Sequence, residues 1–84
     1  MNKTFHDRGF DDYVYWQKQD KKTLDKINRL LKSIERDGVM RGEGKPERLK
    51  YGDGYSRRID EENRLVYEVE GDTIIIKACK GHYE

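Results

Sequence analysis

Apolar and polar residues in this chain repeat with two periods, one helical and one strand-like. Leu24, Ile27, Leu31 and Ile34, with Leu30 beside them, form an apolar stripe, while Lys22, Asp25, Lys26, Arg29, Lys32 and Glu35 ring the other side. Asp20 is the expected N-cap of this helix. Asp37-Gly38 is its expected end, because glycine accepts a backbone other residues resist. An earlier helix, with Asp7 as its cap, is predicted to run to about Lys18 or Gln19. Phe10, Tyr13, Val14 and Trp16 or Gln17 would form its apolar face, and Asp11 and Asp12 favour its early turns. Trp16 and Tyr13 read as core residues. The two helices form a hairpin suited to covering a sheet.

The strand signal lies mostly further on. Residues 3–6 fit a short edge strand. Residues 38–46, with three glycines and one proline, read as a loop and as the most mobile internal segment. Residues 47–51 read as a strand with Leu49 inward; Glu47 shares its parity, but the pleat need not hold at the first residue. Gly52-Asp53-Gly54 and Gly71-Asp72 are turn signals, and residues 73–80 are the most apolar strand, expected inside the sheet.

Residues 56–69, SRRIDEENRLVYEV, read as two strands folded back around Asp60-Glu61-Glu62-Asn63. If Ile59 and Leu65 face a core, period 2 sends Arg58 and Arg64 to the opposite, open face. Like charges across a hairpin are unfavourable unless an anion lies between them, and phosphate is the first candidate. The alternative is ordinary surface charge paired with Asp60, Glu61 or Glu62. The expected architecture is α+β: one domain over residues 1–84, with a two-helix hairpin on one face of a mostly antiparallel sheet of about four strands.

Composition narrows the function. Charged residues make up 42% and apolar residues 33%, which alone leans toward disorder; the periodicity and nine aromatic residues argue for a fold. Such a core is marginal, so a dimer or a stabilising partner fits. Net charge is +1, split as 9 basic and 7 acidic residues over 1–40 and 9 and 10 over 41–84. Nucleic-acid binding would therefore need a small, defined site rather than a basic field. The single Cys79 reads as a packed thiol and suits a reducing cytoplasm. No membrane-spanning or signal-peptide segment is expected.

The open face would present Arg58 and Arg64, with Glu47 and Lys50 from the preceding strand and His82 and Tyr83 from the tail. This set suits RNA cleavage without a metal. A carboxylate takes the 2′-hydroxyl proton, cations hold the phosphate, a histidine protonates the leaving 5′-oxygen, and an aromatic ring stacks on a base. No catalytic Ser or Cys motif, phosphate-binding glycine loop or metal-ligand spacing is present, and no cofactor is expected; His6 and His82 are too isolated to suggest zinc.

DDYVYWQ (11–17), GKPERLK (44–50), SRRIDEENRLVYEV (56–69) and KACKGHY (77–83) together cover most of the chain. In this order and spacing they resemble the YoeB toxins, a branch of the RelE/ParE superfamily of bacterial type II toxin–antitoxin systems. The resemblance implies an mRNA endoribonuclease (mRNA interferase) that acts in the A site of the translating 70S ribosome and inhibits translation. It implies metal-independent cleavage through a 2′,3′-cyclic phosphate, a homodimer, and neutralisation by a YefM-like antitoxin. Glu47 would be the general base, Arg64 the residue stabilising the transition state and His82 the general acid. Lys50, Arg58 and Tyr83 would bind substrate.

Three departures stand out. Glu84 follows the His-Tyr ending, Asn63 replaces a His before the Arg, and Arg48 takes a common Pro position beside Glu47. Two alternatives remain open at this level: a ParE-like DNA gyrase inhibitor, which needs no Glu/Arg/His set, and a non-catalytic RNA-binding module.

Overall fold

The computed structural model describes residues 1–82, in the order β1 (Asn2–Phe5), α1 (Asp7–Gln19), α2 (Lys21–Asp37), β2 (Glu47–Arg48), β3 (Tyr55–Arg58), β4 (Arg64–Glu70) and β5 (Thr73–Ala78). Five strands form one sheet in the order β1-β5-β4-β3-β2, and both helices pack on it. The expected α+β architecture is present, with five strands where about four were expected. The short edge strand read at 3–6 forms as β1 and pairs parallel to β5; the other pairings are antiparallel. β1 takes one edge, so apolar β5 lies inside the sheet, as its composition implied.

The core lies between α2 and the sheet. Ile27, Leu30, Leu31 and Ile34 pack with Trp16 of α1 against Ile59, Leu65, Tyr67, Ile74, Ile76 and Cys79. Burial of these side chains is the main favourable term for folding. Asp20 caps α2 as expected, accepting the amides of Lys22 and Thr23. Gly38 closes it at φ 111°.

α1 differs from its prediction in two ways. Its N-cap is His6, with no side-chain capping bond, and Asp7 is the first helical residue. The His6 amide still donates to Ile76 O at 2.9 Å, so one residue both closes the pairing with β5 and caps the helix, which starts one residue earlier than the cap pattern implied. Phe10 is 53% exposed and packs edge-to-face with Phe5, while Gly9 is buried against β5. A Cβ at Gly9 would lie 2.3 Å from Ile76 O. The buried face is thus Gly9, Tyr13 and Trp16, because a missing side chain allows the closest approach.

Leu49 is half-buried and outside the core, contrary to the inward placement expected. β2 spans only two residues, and the Leu49 amide donates to Gly54 O within the turn that follows. A register shift at Val66/Tyr67 changes which β5 residues face the helices. Cys79 enters the core, and Ala78 lies opposite Val66 outside that cluster. Trp16 Nε1 donates to Cys79 O at 2.8 Å and Asp12 Oδ2 accepts the Cys79 amide at 2.9 Å, tying α1 to the end of the sheet.

The 38–46 loop is anchored by a residue the sequence reading passed over. Arg57 is fully buried, and all its donors are used. Nε donates to the Tyr67 hydroxyl (2.9 Å), Nη1 to Ser33 Oγ (3.0 Å) and Glu43 O (2.9 Å), and Nη2 to Gly38 O and Arg41 O (both 2.7 Å). Ser33 Oγ also takes the Glu43 amide and donates to Asp37. The loop carbonyls that no strand or helix satisfies are thereby paired.

Candidate active site

The strand registers assemble part of the expected constellation. Arg58 lies directly opposite Arg64 in the β3–β4 ladder, and Glu47 lies opposite Ser56, two residues before Arg58 on β3. Arg57 points into the core, so its neighbours Ser56 and Arg58 face the other side, and Glu47 faces that side with them. Standard sheet spacings put the Glu47 and Arg64 Cα atoms roughly 12 Å apart and those of Arg58 and Arg64 about 5 Å apart. Buried Ser56 and Val66 lie between. A carboxylate on one side and two guanidinium groups on the other thus look onto one patch of the face away from the helices.

Neither arginine has an ion-pair partner among the described residues, Glu61 and Glu62 included, and Asp60 is engaged within the turn. Asp60 Oδ1 accepts the amides of Glu62 and Asn63 at 2.8 and 2.7 Å, and both its oxygens accept Asn63 Nδ2. Burial acts to raise the Asp60 pKa, but the Asn63 side chain and these amides hold it below the ordinary value. The surface-pairing explanation for the two arginines is therefore not what the fold adopts. Two like charges face each other across the ladder, an arrangement that favours an anion between them.

Arg58 also borders a hollow of about 360 Å³ lined by Lys26, Gly44, Lys45, Ile59, Asp60 and Glu61. The Arg58 amide donates to Gly44 O at 2.6 Å, so the loop forms one wall of it. A Cβ at Gly44 would come within 2.8 Å of Leu30 and 3.0 Å of Arg57, and its φ is 94°. Glycine is required there on both counts.

His82 reaches the same end of the sheet through the tail. Gly81 is bonded to the β3–β4 turn, and the exposed His82 places Nε2 3.3 Å from Glu61 O. Lys50 lies beyond β2, exposed in the connection to β3, where the pleat no longer fixes its direction. Tyr83 falls outside the described residues. Arg48, the cation expected beside Glu47, points to the other face and stacks over Tyr55 at 5.5 Å.

Other reactive groups lie apart from this patch. Burial, with the Asp12 carboxylate nearby, pushes the Cys79 thiol up to about 12, so it is a packing residue and not a nucleophile. Among the described residues no group of three His, Cys, Asp or Glu side chains is arranged to hold a metal. No described helix is long and apolar enough to cross a membrane.

Missed by the sequence reading were Arg57 and Ser33, which hold the loop; Asn63, noted there as a departure before the Arg, holds the tail on the other side of the arginine pair. For Arg57 a signal was available. The alternation that turns Ile59 inward turns Arg57 inward too, and a buried guanidinium needs carbonyls of the kind a glycine-rich loop leaves unpaired.

Comparison with known proteins agrees with this fold. The YoeB-like toxin family of bacterial type II toxin–antitoxin systems matches residues 5–83. Toxin YoeB of Escherichia coli K12 is 47% identical over 85 residues, covering 99% of this chain and all of that protein. The YoeB dimer from Staphylococcus aureus superimposes with a TM-score of 0.94 at 54% identity, covering 99% of this chain and 98% of that one. The same organism's heterotetrameric YoeB–YefM toxin–antitoxin complex gives 0.91 at 53% identity, with the same coverage. With the family matched over nearly its whole length, the chain belongs to the YoeB-like toxins of bacterial type II toxin–antitoxin systems.

Proposed function

We propose that this toxin is a ribosome-dependent endoribonuclease that cuts mRNA in the A site and so stops translation. The observation that carries the reading is the Arg58–Arg64 pair, held face to face without an acidic partner among the described residues and sharing its face with Glu47. In the proposed reaction the Glu47 carboxylate removes the proton of a ribose 2′-hydroxyl, and the resulting oxygen attacks the adjacent phosphorus. The bond to the 5′-oxygen breaks, leaving a 2′,3′-cyclic phosphate, and His82 protonates the departing oxygen. Arg64 stabilises the charge that develops on the phosphoryl oxygens, and Arg58 holds the substrate backbone beside the hollow it lines. Lys50 and Tyr83 complete substrate binding, Tyr83 by stacking on a base. The chemistry is assigned to side chains alone, with no metal.

The protein works in the cytoplasm, where translating ribosomes are. By its likeness to the Staphylococcus aureus dimer and YoeB–YefM complexes, it forms a homodimer and is neutralised by a YefM-like antitoxin.

Primer extension on mRNA recovered from translating ribosomes tests the reading. Wild type is expected to give discrete cuts with no metal added beyond what keeps the ribosome assembled. Glu47→Ala, Arg64→Ala and His82→Ala should each cut about 10²-fold more slowly or worse, the scale of lost proton transfer or charge stabilisation. Full activity in all three variants would sink the proposal. Inhibition of DNA supercoiling with intact mRNA would select the gyrase-directed alternative.

A further inference from the structure

The turn between β3 and β4 grips the tail that carries His82. Asn63 Oδ1 accepts the Gly81 amide at 2.8 Å, and the Arg64 amide donates to Gly81 O at 3.1 Å. Both polar groups of one tail residue are thus tied to adjacent residues, one of them the proposed transition-state arginine. The Asn63 side chain cannot swing freely. Its Nδ2 donates to both Asp60 carboxylate oxygens at 3.1 Å, its amide donates to Asp60 Oδ1 at 2.7 Å, and its carbonyl accepts the Ile59 amide at 2.9 Å. With Nδ2 directed at a carboxylate, the amide oxygen is the atom left to face Gly81, so the network sets the side chain's orientation. Gly81 adopts φ 79°, a backbone suited to glycine, and the chain turns so that His82 lies against Glu61 O.

We propose that Asn63 is a positioning residue for the cleavage reaction: by clamping Gly81 it sets where the His82 imidazole stands relative to Arg64. The proposal rests on the reading of His82 as the general acid. The physical reason is entropic. His82 sits four residues beyond the end of β5, and a tail of that length samples many positions unless its backbone is held. A proton donor that must meet a leaving oxygen within hydrogen-bond reach loses rate in proportion to the time it spends elsewhere. Asn63 does not touch the substrate; it acts through the backbone next to the acid.

The test is single-turnover cleavage by the full chain on mRNA-programmed ribosomes. It compares wild type, Asn63→Ala, His82→Ala and the double variant, with thermal melting alongside. Asn63→Ala should slow cleavage at saturating ribosomes by about 10-fold or more, while the half-saturating concentration stays within about 2-fold. In the His82→Ala background the same substitution should cause no further loss, because two residues acting through one group are not additive. The exchange Asp60→Asn with Asn63→Asp retains an oxygen facing Gly81 and a donor–carboxylate pair within the turn. It should cleave within about 3-fold of wild type, which guards against loss of the turn in Asn63→Ala.

Full-rate cleavage by Asn63→Ala with a slow His82→Ala would overturn the clamp alone. So would an equal Asn63→Ala loss in both backgrounds, which is the mark of a purely structural turn residue. Wild-type cleavage by His82→Ala would instead overturn the general-acid reading, and the clamp's catalytic meaning with it.

Discussion

Arg57 shows how much one side chain can organise. A guanidinium is costly to bury, and it is tolerated here because every donor meets an oxygen, three of them loop carbonyls within 3.0 Å. Tyr67 belongs to the same cluster. Its hydroxyl donates to Val39 O at 2.6 Å, and burial raises its pKa despite the adjacent Arg57. Replacing Arg57 by methionine keeps much of the volume but strands these carbonyls. Arg57→Met should therefore destabilise the fold by about 3–5 kcal/mol, the range for breaking one side of a buried charged network. Urea denaturation measures it, and a loss within the error of that method would show that water replaces the guanidinium at no cost. Since the loop ends at Pro46, directly before Glu47, the same substitution disturbs the proposed base from behind.

At the scale of elements, α1 and β5 meet at Gly9. Helix propensity alone says that Gly9→Ala should stabilise α1 by up to about 1 kcal/mol. Packing says the opposite, because the new methyl would stand 2.3 Å from Ile76 O, a backbone atom that no rotamer change can move. Overpacking of this kind costs about 1–3 kcal/mol, so the variant should melt below wild type. A higher melting temperature would mean that α1 can lift off β5 freely. Such lifting would also loosen the Trp16 and Asp12 bonds to Cys79, and with them the start of the tail.

For the whole molecule, acid is the expected weakness. Hydrogen bonds and charge from Lys3 and the N-terminal amine hold Glu35 below its ordinary value of 4.5, linking β1 to α2; Arg29 and Lys26 do the same for Glu43 on the loop. Bonds from the Thr23 side chain and amide hold Asp20 below 3.8. A folded-state pKa below the unfolded one contributes stability that is present above the unfolded value and lost as pH falls through the folded one. Melting temperature should therefore hold from neutral pH to about 5 and drop steadily below about 4. High salt should shrink that drop, since these pairs are exposed and screened. A melting temperature unchanged down to pH 2 would show that these carboxylates do not support the fold.

The amino-acid sequence by itself determined the two helices, the capping of α2 by Asp20, the interior place of β5 and the opposition of Arg58 to Arg64. Each follows from a local period or a turn of a few residues, and short-range sterics decide such features. It did not determine the rotation of α1, the parallel docking of β1, or the Val66/Tyr67 register shift that brings Cys79 into the core. Nor did it determine the burial of Arg57, although parity had pointed its side chain inward. Those outcomes depend on partners from 14 to 67 residues away: Ile76 O above Gly9, Asp12 on the Cys79 amide, Gly38 O and Glu43 O on Arg57. The site divides along the same line. Local alternation gave the two arginines a common face, whereas Glu47 joins that face because β2 pairs with β3, and His82 lies near it with Gly81 bonded to the Asn63 side chain and the Arg64 amide.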